Sequence, residues 1–431
     1  MLGRLGRLVL ALVTASPTTR LVASAVTAPL DQPVELLPLL PRPTGSVCFV
    51  GGDRGGDQGF VGWGVHARYT TAGPDAAARI QDWFDEVRTG LRVTDPIGEP
   101  GTGPLAFVSL GFDDDDVAVA VVPQVVVGRS AGTGFVTLIG TATPDSAVLG
   151  TSAKEPIRRP GRVSYADAEL SVAGFTSAVS AATARIRRRA LDKVVLAHDL
   201  VATASRPVDE RLLLARLAAG YPGCWTFDVE GLVGASPELL IRRQGRRIAS
   251  RVLAGTAWRE HDGDAVADHL LHSPKDVAEH AYAVRSVSDV LSPACDDLDI
   301  PDRPSPLELA NLTHLSTDIT GRLGEFAPTA LELAARLHPT AAVGGSPTAV
   351  ARQVIRELEP MSRGRYAAPV GWLDGRGDGE FAIALRCAQV NGRSVRLMAG
   401  CGIVADSDPE TEAREAQIKM IPIRDALESA E

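Results

Sequence analysis

The sequence contains little of what several common classes of protein require. Only 5% of its 431 residues are aromatic, and its five cysteines are far apart and form no CxxC pair. Such a scattered, odd-numbered set supports neither a disulfide framework nor a zinc site, so a reducing cytoplasm is the expected location. No stretch approaches the roughly 20 apolar residues that a membrane span requires, and no membrane partner is expected.

An excess of positive charge is also missing. The chain has 44 Lys and Arg against 53 Asp and Glu, a net charge of −9, and its basic residues are dispersed apart from short runs at 185–189 and 242–247. Nucleic-acid binding needs a concentrated basic surface, so nucleic acid is not an expected partner. A hydrophobic content of 45% with 23% charged residues is typical of a globular protein with a large core.

Residues 1–20 are expected to form a disordered N-terminal segment. They begin MLGRLGRLVLALVTAS, with two arginines ahead of an apolar run, as in a weak secretory signal. Because this run is short and nothing downstream is typical of an extracellular protein, a mistaken start codon or a frayed first helix is the favoured interpretation.

The first third of the chain predicts antiparallel sheet, because short apolar runs alternate with tight turns. Strands are predicted at 21–26, 46–50, 59–65, 105–110, 117–122, 124–129 and 134–139, with helices at 33–40 and 75–88. A polar segment at 142–162, rich in Pro, Ser and basic residues, is interpreted as a connector.

The remainder alternates helical and strand patterns. Helices are predicted at 165–191, 209–219 and 275–291. The last of these opens a mainly helical stretch of the chain, in which 331–337 and 347–358 are also predicted to be helices. Strands are predicted at 193–200, 224–229, 231–235, 239–243, 246–253, 366–373, 380–389 and 394–399.

The C-terminal stretch LMAGCGIVADSDPETEAREAQIKMIPI carries the clearest chemical pattern. An apolar strand is predicted to enter a Gly-Cys-Gly turn at 400–402, after which Ser407 and Asp408 offer a helix cap with Pro409 just inside the helix. On that helix Glu412, Glu415 and Lys419 fall on one face. Such a face can hold a divalent cation and an anionic substrate, although a solvated surface with one Glu–Lys pair is the alternative.

A second helix also presents carboxylates. In SPKDVAEH, Ser273 can cap the helix and Pro274 can take its first position, which places Asp276 and Glu279 at i and i+3. Two helices with carboxylates on one face suit Mg²⁺, which is usually held by one or two carboxylates together with water and substrate oxygens.

Two single residues are candidates for acid and base. Lys193 begins the apolar strand KVVLAHDL, where burial would favour the neutral, proton-accepting form of its amine. Alternatively, the side chain extends to water at the strand end. Glu238 follows a Ser-Pro turn in GASPELL, where a carboxyl could stay protonated and act as an acid; an exposed turn glutamate is the alternative.

Further polar residues are weaker candidates for ligand contacts. Gly255 and Thr256 in RVLAGT combine close backbone approach with a hydroxyl. His314, His338, Tyr366 and Arg386 belong to THLST, LHPTAAVGG, RGRY and ALRC, and each could equally be a structural polar residue.

Taken in order, these segments resemble the chorismate-utilising enzyme family, which includes isochorismate, salicylate, anthranilate and aminodeoxychorismate synthases. The resemblance covers approximately 165–423. It implies an α+β / α/β fold: one large domain of centrally stacked antiparallel sheets with outer helices and a Mg²⁺-dependent cleft. Residues 21–431 would form this chorismate-binding catalytic domain, with a looser half at 21–160 and a motif-bearing core at 165–428.

The resemblance also implies roles for individual residues. Lys193 would be the general base that activates water for attack at C2 of chorismate, and Glu238 the acid that protonates the departing C4 hydroxyl. Glu279 and Glu415 would bind Mg²⁺, with Glu412 and Asp276 close by. Substrate contacts are implied for Gly255, Thr256, His314, Tyr366, Arg386, Gly402 and Lys419.

Two positions favour isochorismate synthesis within this family. Water-using members resemble this chain in having Lys193 where ammonia-using members commonly have glutamine, and Ala254 stands where aminodeoxychorismate synthases have lysine. We therefore expect a cytoplasmic, monomeric enzyme that isomerises chorismate for menaquinone or siderophore synthesis. Salicylate synthase, which eliminates pyruvate, is the first alternative. An anthranilate or aminodeoxychorismate synthase component and a catalytically silent chorismate-binding subunit are the others.

Three residues depart from the family pattern. His198 stands where arginine is usual, Cys401 replaces an alanine, and Ala341 replaces a proline. None of them removes a predicted acid, base or metal ligand. Cys401 is predicted to lie in a turn that lines the pocket, where it would alter substrate fit or make the enzyme sensitive to oxidation.

Overall fold

In a computed structural model of the chain, the described residues are 23–52, 59–130, 132–140, 154–258, 263–309 and 312–428, with the backbone alone described for 258, 263–267 and 275. The predicted N-terminal segment 1–20 and most of the predicted connector lie outside these residues. Within them, no helix combines the length and apolar character that crossing a membrane requires.

Strands contain more of the described residues than helices do. The strands are β1 (Ser24–Pro29), β2 (Ser46–Gly51), β3 (Gly59–Thr71), β4 (Arg92–Thr94), β5 (Leu105–Ser109), β6 (Ala118–Ser130), β7 (Thr133–Gly140), β8 (Val163–Asp167), β9 (Lys193–Ala204), β10 (Trp225–Val229), β11 (Leu232–Ser236), β12 (Leu239–Gln244), β13 (Arg247–Trp258), β14 (Cys295–Asp299), β15 (Ser305–Glu308), β16 (Leu312–Leu323), β17 (Gly345–Ser346), β18 (Pro369–Asp374), β19 (Gly379–Ile383), β20 (Cys387–Asn391) and β21 (Ser394–Ile403).

Helices connect and cover these strands. The α-helices are α1 (Ala76–Thr89), α2 (Val172–Arg187), α3 (Glu210–Gly220), α4 (Gly263–His272), α5 (Pro274–Leu291), α6 (Ala330–Leu337), α7 (Thr348–Leu358), α8 (Pro409–Lys419) and α9 (Ile421–Glu428). Short 3₁₀ turns lie at Leu37–Leu39, inside the predicted helix 33–40, and at Ser292–Ala294.

The sheet divides at β6. This valine-rich strand pairs with β3 along one edge, and with β5 and then β7 along the other. The sequence predicted two strands at 117–122 and 124–129, but they are one. Pro123, which cannot donate a ladder hydrogen bond, is accommodated opposite an irregularity between Val65 and Ala67 in β3.

Two arms extend from this division. One continues through β3, β2, β10, β11, β20, β21 and β9, and the other through β5, β18, β19, β12, β13 and β16. All pairings are antiparallel except that of β1 with β4. Helices α2 and α7 pack on β9, α8 on β21 and α5 on β13. The predicted architecture of antiparallel sheets with outer helices is confirmed.

The predicted helix at 165–191 is confirmed for Val172–Arg187, but its N-terminal part is wrong. Its first residues form β8, which pairs with β9, and the helix α2 begins only after Ser171. The Asp199 carboxylate accepts the Leu170 N–H at 3.0 Å and holds the chain as it leaves the strand. Ser171 then caps α2 by accepting the Gly174 N–H.

The predicted turn at 400–402 is also wrong, because these residues continue β21 beside β9. A Cβ atom on Gly400 would lie 2.5 Å from the Leu196 carbonyl oxygen, and one on Gly402 would overlap Oε1 of Glu279. These glycines therefore permit close packing of strand on strand and of helix on strand.

Other differences concern non-local pairing. The predicted helical stretch after 291 contains three strands, β14 to β16, and α4 precedes α5 without having been predicted. The predicted strand at 380–389 is interrupted at Arg386, whose φ is +49°. Strand β16 contains three threonines, which favour strands, and its pairing with β13 along almost its full length stabilises it.

Candidate active site

A cavity lies between the two arms of the sheet, and most of the predicted site residues surround it. Nine of them line it: Glu238, Gly255, Thr256, Glu279, His314, Tyr366, Arg386, Gly402 and Lys419. The other four, Lys193, Asp276, Glu412 and Glu415, lie outside this lining.

Lys193 lies immediately behind the cavity wall. Its side chain is 0% exposed, and its Nζ atom is 3.0 Å from Oε1 of the lining residue Glu279. Pairing of Ser346 in β17 with Lys193 fixes the start of β9. The alternative that this amine extends to water is therefore wrong, and Glu279 is its ion-pair partner.

Glu238 occupies the corner between β11 and β12, as predicted, and it is only 3% exposed. Ser236 supports this corner by accepting the Glu238 N–H at 3.3 Å and donating to the Ile383 carbonyl at 2.6 Å. Burial raises the pKa of Glu238 to about 8, despite the Leu253 N–H and the positive charges of Lys193, Lys419 and Arg386. At neutral pH the carboxyl is therefore mainly protonated and can act as an acid.

A hydrogen-bonded chain of Thr256, His314 and Arg386 forms one wall. The His314 Nδ1 atom is 3.1 Å from the Thr256 hydroxyl and 3.2 Å from the Gly255 carbonyl, and its Nε2 atom is 3.3 Å from Arg386 Nη2. Burial and the positive charge of Arg386 lower the pKa of His314 well below its usual value. Neutral His314 can therefore donate to Gly255 and accept from Arg386.

Arg386 is the clearest anion-binding group of the cavity. Its Nη1 atom is buried and has no hydrogen-bond partner among the described residues. A buried guanidinium with an unused donor suits a planar carboxylate. Its left-handed backbone conformation interrupts a strand, and such strain commonly occurs at functional sites.

Lys419 supplies a second positive charge. Its Nζ atom is 2.5 Å from Oε1 of Glu415 and donates to the Gly400 carbonyl at 3.1 Å. Burial alone would lower the pKa of Lys419, but the adjacent Glu415 carboxylate outweighs burial and raises it. Glu412 on the same helix is only 2% exposed, so the alternative of a solvated helix face is wrong.

Three carboxylates surround the strand residues 401 and 402. Ligand atoms of Glu412, Glu415 and Cys401 lie within 4.8 Å of one another, and Glu279 reaches the neighbouring Gly402 from α5. Burial and the charges of Glu415, Glu412 and Glu279 raise the pKa of the Cys401 thiol well above its usual value, although Lys419 opposes this. A protonated thiol is a poor ligand for Mg²⁺, whereas these carboxylate oxygens are suitable ones. The residues present therefore fit a Mg²⁺ ion.

The structure places two of the predicted residues differently from expectation. Cys401 does not line the cavity, because its thiol points to α8 and donates to the Glu412 main-chain carbonyl at 3.2 Å. Asp276 packs against Gly255: a Cβ atom added to Gly255 would lie 3.0 Å from the Cβ of Asp276. Asp276 does not belong to the group of Cys401, Glu412 and Glu415. A role for Asp276 near the metal gains no support from this placement.

The family of the chain can now be stated. The sequence matches the family described as "Chorismate binding enzyme" over residues 9–428. The chain belongs to this family.

Individual relatives of this chorismate-binding enzyme are isochorismate synthases by name. It is 41% identical over 266 residues to isochorismate synthase MenF of Bacillus subtilis (strain 168), covering 60% of this chain and 56% of that protein. It is also 41% identical over 259 residues to isochorismate synthase DhbC of the same strain, covering 57% and 65% respectively. The matched region thus spans less than two thirds of either relative.

The fold is also similar to a solved structure. That structure is MenF, the menaquinone-specific isochorismate synthase from Escherichia coli. Its TM-score is 0.76 at 25% identity, with 94% of each chain covered. The similarity extends over the N-terminal part of the chain, where the sequence patterns were less specific.

In this chorismate-binding enzyme, several cavity residues could not be predicted from the sequence. Apolar side chains of Val195, Leu253, Val343, Leu385 and Met398 form much of the wall, and Arg363 also lines it. All six lie in segments quoted above, but no local pattern marked them as lining residues. The other family departures lie elsewhere: His198, for example, is buried between Phe175 of α2 and Gln417 of α8.

Proposed function

We propose that this chain catalyses the Mg²⁺-dependent conversion of chorismate to isochorismate. One observation carries the proposal: the buried carboxyl of Glu238, whose pKa is raised by burial, lines the cavity, and the buried amine of Lys193 lies immediately behind the wall of the same cavity. Lys193 contacts the lining residue Glu279 at 3.0 Å, and its charge also acts on Glu238. Membership in the chorismate-binding family and the names of the relatives support chorismate as the substrate.

The two groups match the two proton transfers of the reaction. Lys193 would act as the base that takes a proton from water as the oxygen attacks C2 of the ring. The ring double bonds shift and the C4–O bond breaks, and Glu238 gives its proton to the departing hydroxyl. Hydroxide is a poor leaving group, so a carboxyl that keeps its proton near neutral pH is well suited to this step.

The remaining cavity residues would bind and orient the substrate. Chorismate carries two carboxylates, and the cavity wall contains three cations, Arg363, Arg386 and Lys419. Arg363 is bound to both oxygens of Glu359, so Arg386 and Lys419 are the two proposed to bind the substrate. Glu279 and Glu415 would hold Mg²⁺, with Glu412 close by, and the ion would supply positive charge to the ring carboxylate. The apolar side chains of Val343 and Met398 would pack on the ring and limit the entry of further water.

A product assay tests the proposal directly. The purified chain is incubated with chorismate and Mg²⁺, and isochorismate, salicylate and pyruvate are separated by chromatography. We expect isochorismate in equilibrium with chorismate, without salicylate or pyruvate, and loss of turnover on addition of EDTA. Formation of pyruvate with salicylate would identify a salicylate synthase instead. Binding of chorismate without conversion would identify a silent subunit.

A further inference from the structure

Strand β9, which begins with Lys193, has an incomplete edge. One edge pairs with β21 from Val194 to Thr203. On the other edge β17 pairs only with Lys193 and Val194, and pairing with β8 begins only at Leu200. The Val195 N–H still donates to the Gly344 carbonyl. Among the described residues, no strand pairs on this edge with the peptide groups from the Val195 carbonyl to Asp199. Such buried groups need partners, because an unpaired one is costly.

A buried ion pair supplies those partners. Oε1 of Glu359 accepts the Ala197 N–H at 2.8 Å, and Nη2 of Arg363 donates to the Val195 carbonyl at 2.7 Å. The guanidinium also bonds to both Glu359 oxygens, at 2.8 and 2.5 Å. The two side chains are only 1% and 2% exposed, so water does not compete for these bonds.

The same pair joins β9 to the adjacent segment of the cavity wall, which contains Val343. Nη1 of Arg363 donates to the Val343 carbonyl at 2.9 Å, and Val195, Val343 and Arg363 all line the cavity. A buried ion pair often adds little net stability compared with apolar residues of the same size. Its directional hydrogen bonds can instead fix the positions of neighbouring segments. Here the bonds to the main chain hold β9, which carries the proposed base, and the cavity wall at Val343.

We propose that Glu359 and Arg363 are positioning residues that act through β9 to place Lys193 beside Glu279 and the cavity. Neither residue is expected to contact the reacting atoms. This inference rests on the proposed function, because it concerns the proposed base.

The test compares two Arg→Lys variants. Arg363→Lys keeps a positive charge beside Glu359 but loses the planar fork that reaches the Val195 and Val343 carbonyls. We expect kcat for isochorismate formation to fall about tenfold to a hundredfold, since a displacement of about 1 Å can cost about 10²-fold. The KM for chorismate and the Mg²⁺ concentration for half-maximal activity should change by less than about twofold, because the binding groups remain.

Arg211→Lys is the matched control. Arg211 is also buried and paired at 2.7 Å, to Asp209, and it also donates to main-chain carbonyls, those of Pro41 and Glu155. It does not line the cavity. Both variants should lose thermal stability, but Arg211→Lys should keep the parental kcat. An equal fall of kcat in the two variants would reduce the Glu359–Arg363 pair to a general structural role and overturn the proposal.

Crystal structures give a result that does not depend on turnover. In Arg363→Lys the Lys193–Glu279 separation should exceed the present 3.0 Å, while Arg211→Lys should leave it unchanged. If the parent protein forms no isochorismate, the proposed function fails, yet this comparison still decides whether the pair positions Lys193.

A double variant covers the case in which Arg363→Lys does not fold. Glu359→Gln with Arg363→Met removes both charges together, so no unpaired charge is left buried, and the glutamine still accepts the Ala197 N–H. The same fall in kcat is expected. Parental kcat with an unmoved Lys193, in either variant, would overturn the proposal.

Discussion

The Nζ atom of Lys193 lies 3.0 Å from Oε1 of Glu279, so a buried strand and an outer helix meet through opposite charges at the cavity. A second contact of this kind joins Lys419 to Glu415 within α8, at 2.5 Å. In both pairs the carboxylate is a proposed Mg²⁺ ligand. Substitution of either lysine therefore also removes the positive charge that is paired with a proposed Mg²⁺ ligand.

Replacement of Lys193 by alanine should nearly abolish turnover. Loss of a general base typically costs about 10²–10⁴-fold, and we expect kcat for isochorismate formation to fall by that amount. Chorismate binding should persist, because Arg386 and Lys419 remain, and calorimetry can measure it. Lys154→Ala is the control, since this exposed lysine contacts only the Pro38 carbonyl among the described hydrogen bonds. Tight binding with unchanged turnover in Lys193→Ala would show that the base is another group.

Glu238 should give the enzyme an alkaline limit. Because burial raises the pKa of Glu238 to about 8, the carboxyl holds its proton below that pH and loses it above. An acid catalyst acts only while protonated, and kcat/KM reports the acid of the free enzyme, so kcat/KM should decline as the pH rises through about 8. The measurement is a pH profile of kcat/KM for chorismate at saturating Mg²⁺.

Glu238→Gln tests the same residue by substitution. Glutamine preserves the size of the side chain but cannot release a proton, so turnover should fall by about 10²–10⁴-fold while chorismate binding is largely retained. A flat alkaline profile in the parent, or substantial turnover in Glu238→Gln, would contradict the assignment.

Local patterns in the sequence predicted much of this site. The Ser273 cap, the corner that presents Glu238 and the helix that carries Glu415 and Lys419 each depend on neighbouring residues, and all are confirmed as structure. The family resemblance, which required order and spacing along the chain, added the overall fold.

Features that depend on distant residues were not predictable in the same way. A glycine in the sequence is compatible with a turn or with close packing. Gly400 packs against Leu196 and Gly402 against Glu279, and these distant contacts are known only from the fold. Strand β16, which carries His314, forms because β13 pairs with almost its full length. The hydrogen bonds of Arg363 to Val195 and Val343 likewise have no local sequence signal.

Glu415→Ala should weaken the response to Mg²⁺. Loss of one proposed carboxylate ligand should raise the Mg²⁺ concentration required for half-maximal activity, and it should reduce the thermal stabilisation that added Mg²⁺ gives to the protein without substrate. The exposed Glu410, in the first turn of the same helix, provides the control variant Glu410→Ala. If Glu415→Ala and the parent titrate alike with Mg²⁺ in both measurements, Glu415 is not a ligand.

Stability should fall in alkaline solution because of a buried carboxyl far from the cavity lining. Burial and the neighbouring Asp228 raise the pKa of Glu210 well above its usual value. Between the pKa values of the unfolded and folded states, the unfolded chain binds fewer protons, so the free energy of unfolding decreases as the pH rises. The contribution of Glu210 is complete below the ordinary carboxyl pKa and is lost as the pH approaches the folded-state value.

Glu210→Gln should flatten this dependence. The expected difference in slope is up to about 1.4 kcal/mol for each pH unit, because in this range the folded state holds one proton that the unfolded state has lost. Urea unfolding of both proteins from about pH 5 to about pH 9 measures it. Parallel slopes in the two proteins would show that Glu210 is not protonated in the fold.

Gly402→Ala should damage the active site without damaging the fold. The added methyl group would overlap Oε1 of Glu279 and lie 2.9 Å from Cε of Lys193, so it must displace the ion pair between them. The backbone at Gly402 does not have a positive φ, and alanine brings no conformational strain of its own. We therefore expect kcat to fall about tenfold to a hundredfold, as for other small displacements of reacting groups.

Gly220→Ala is the control for this substitution. Gly220 ends α3, and a Cβ there would meet nothing within 4 Å. Alanine should stabilise that helix by up to about 1 kcal/mol and leave kcat unchanged. Kinetic assays and thermal unfolding of both variants separate the two effects. The Lys193–Glu279 contact cannot keep its present geometry in Gly402→Ala, because the added methyl group overlaps Glu279. If this variant keeps the parental kcat and Mg²⁺ dependence, that contact does not contribute to catalysis.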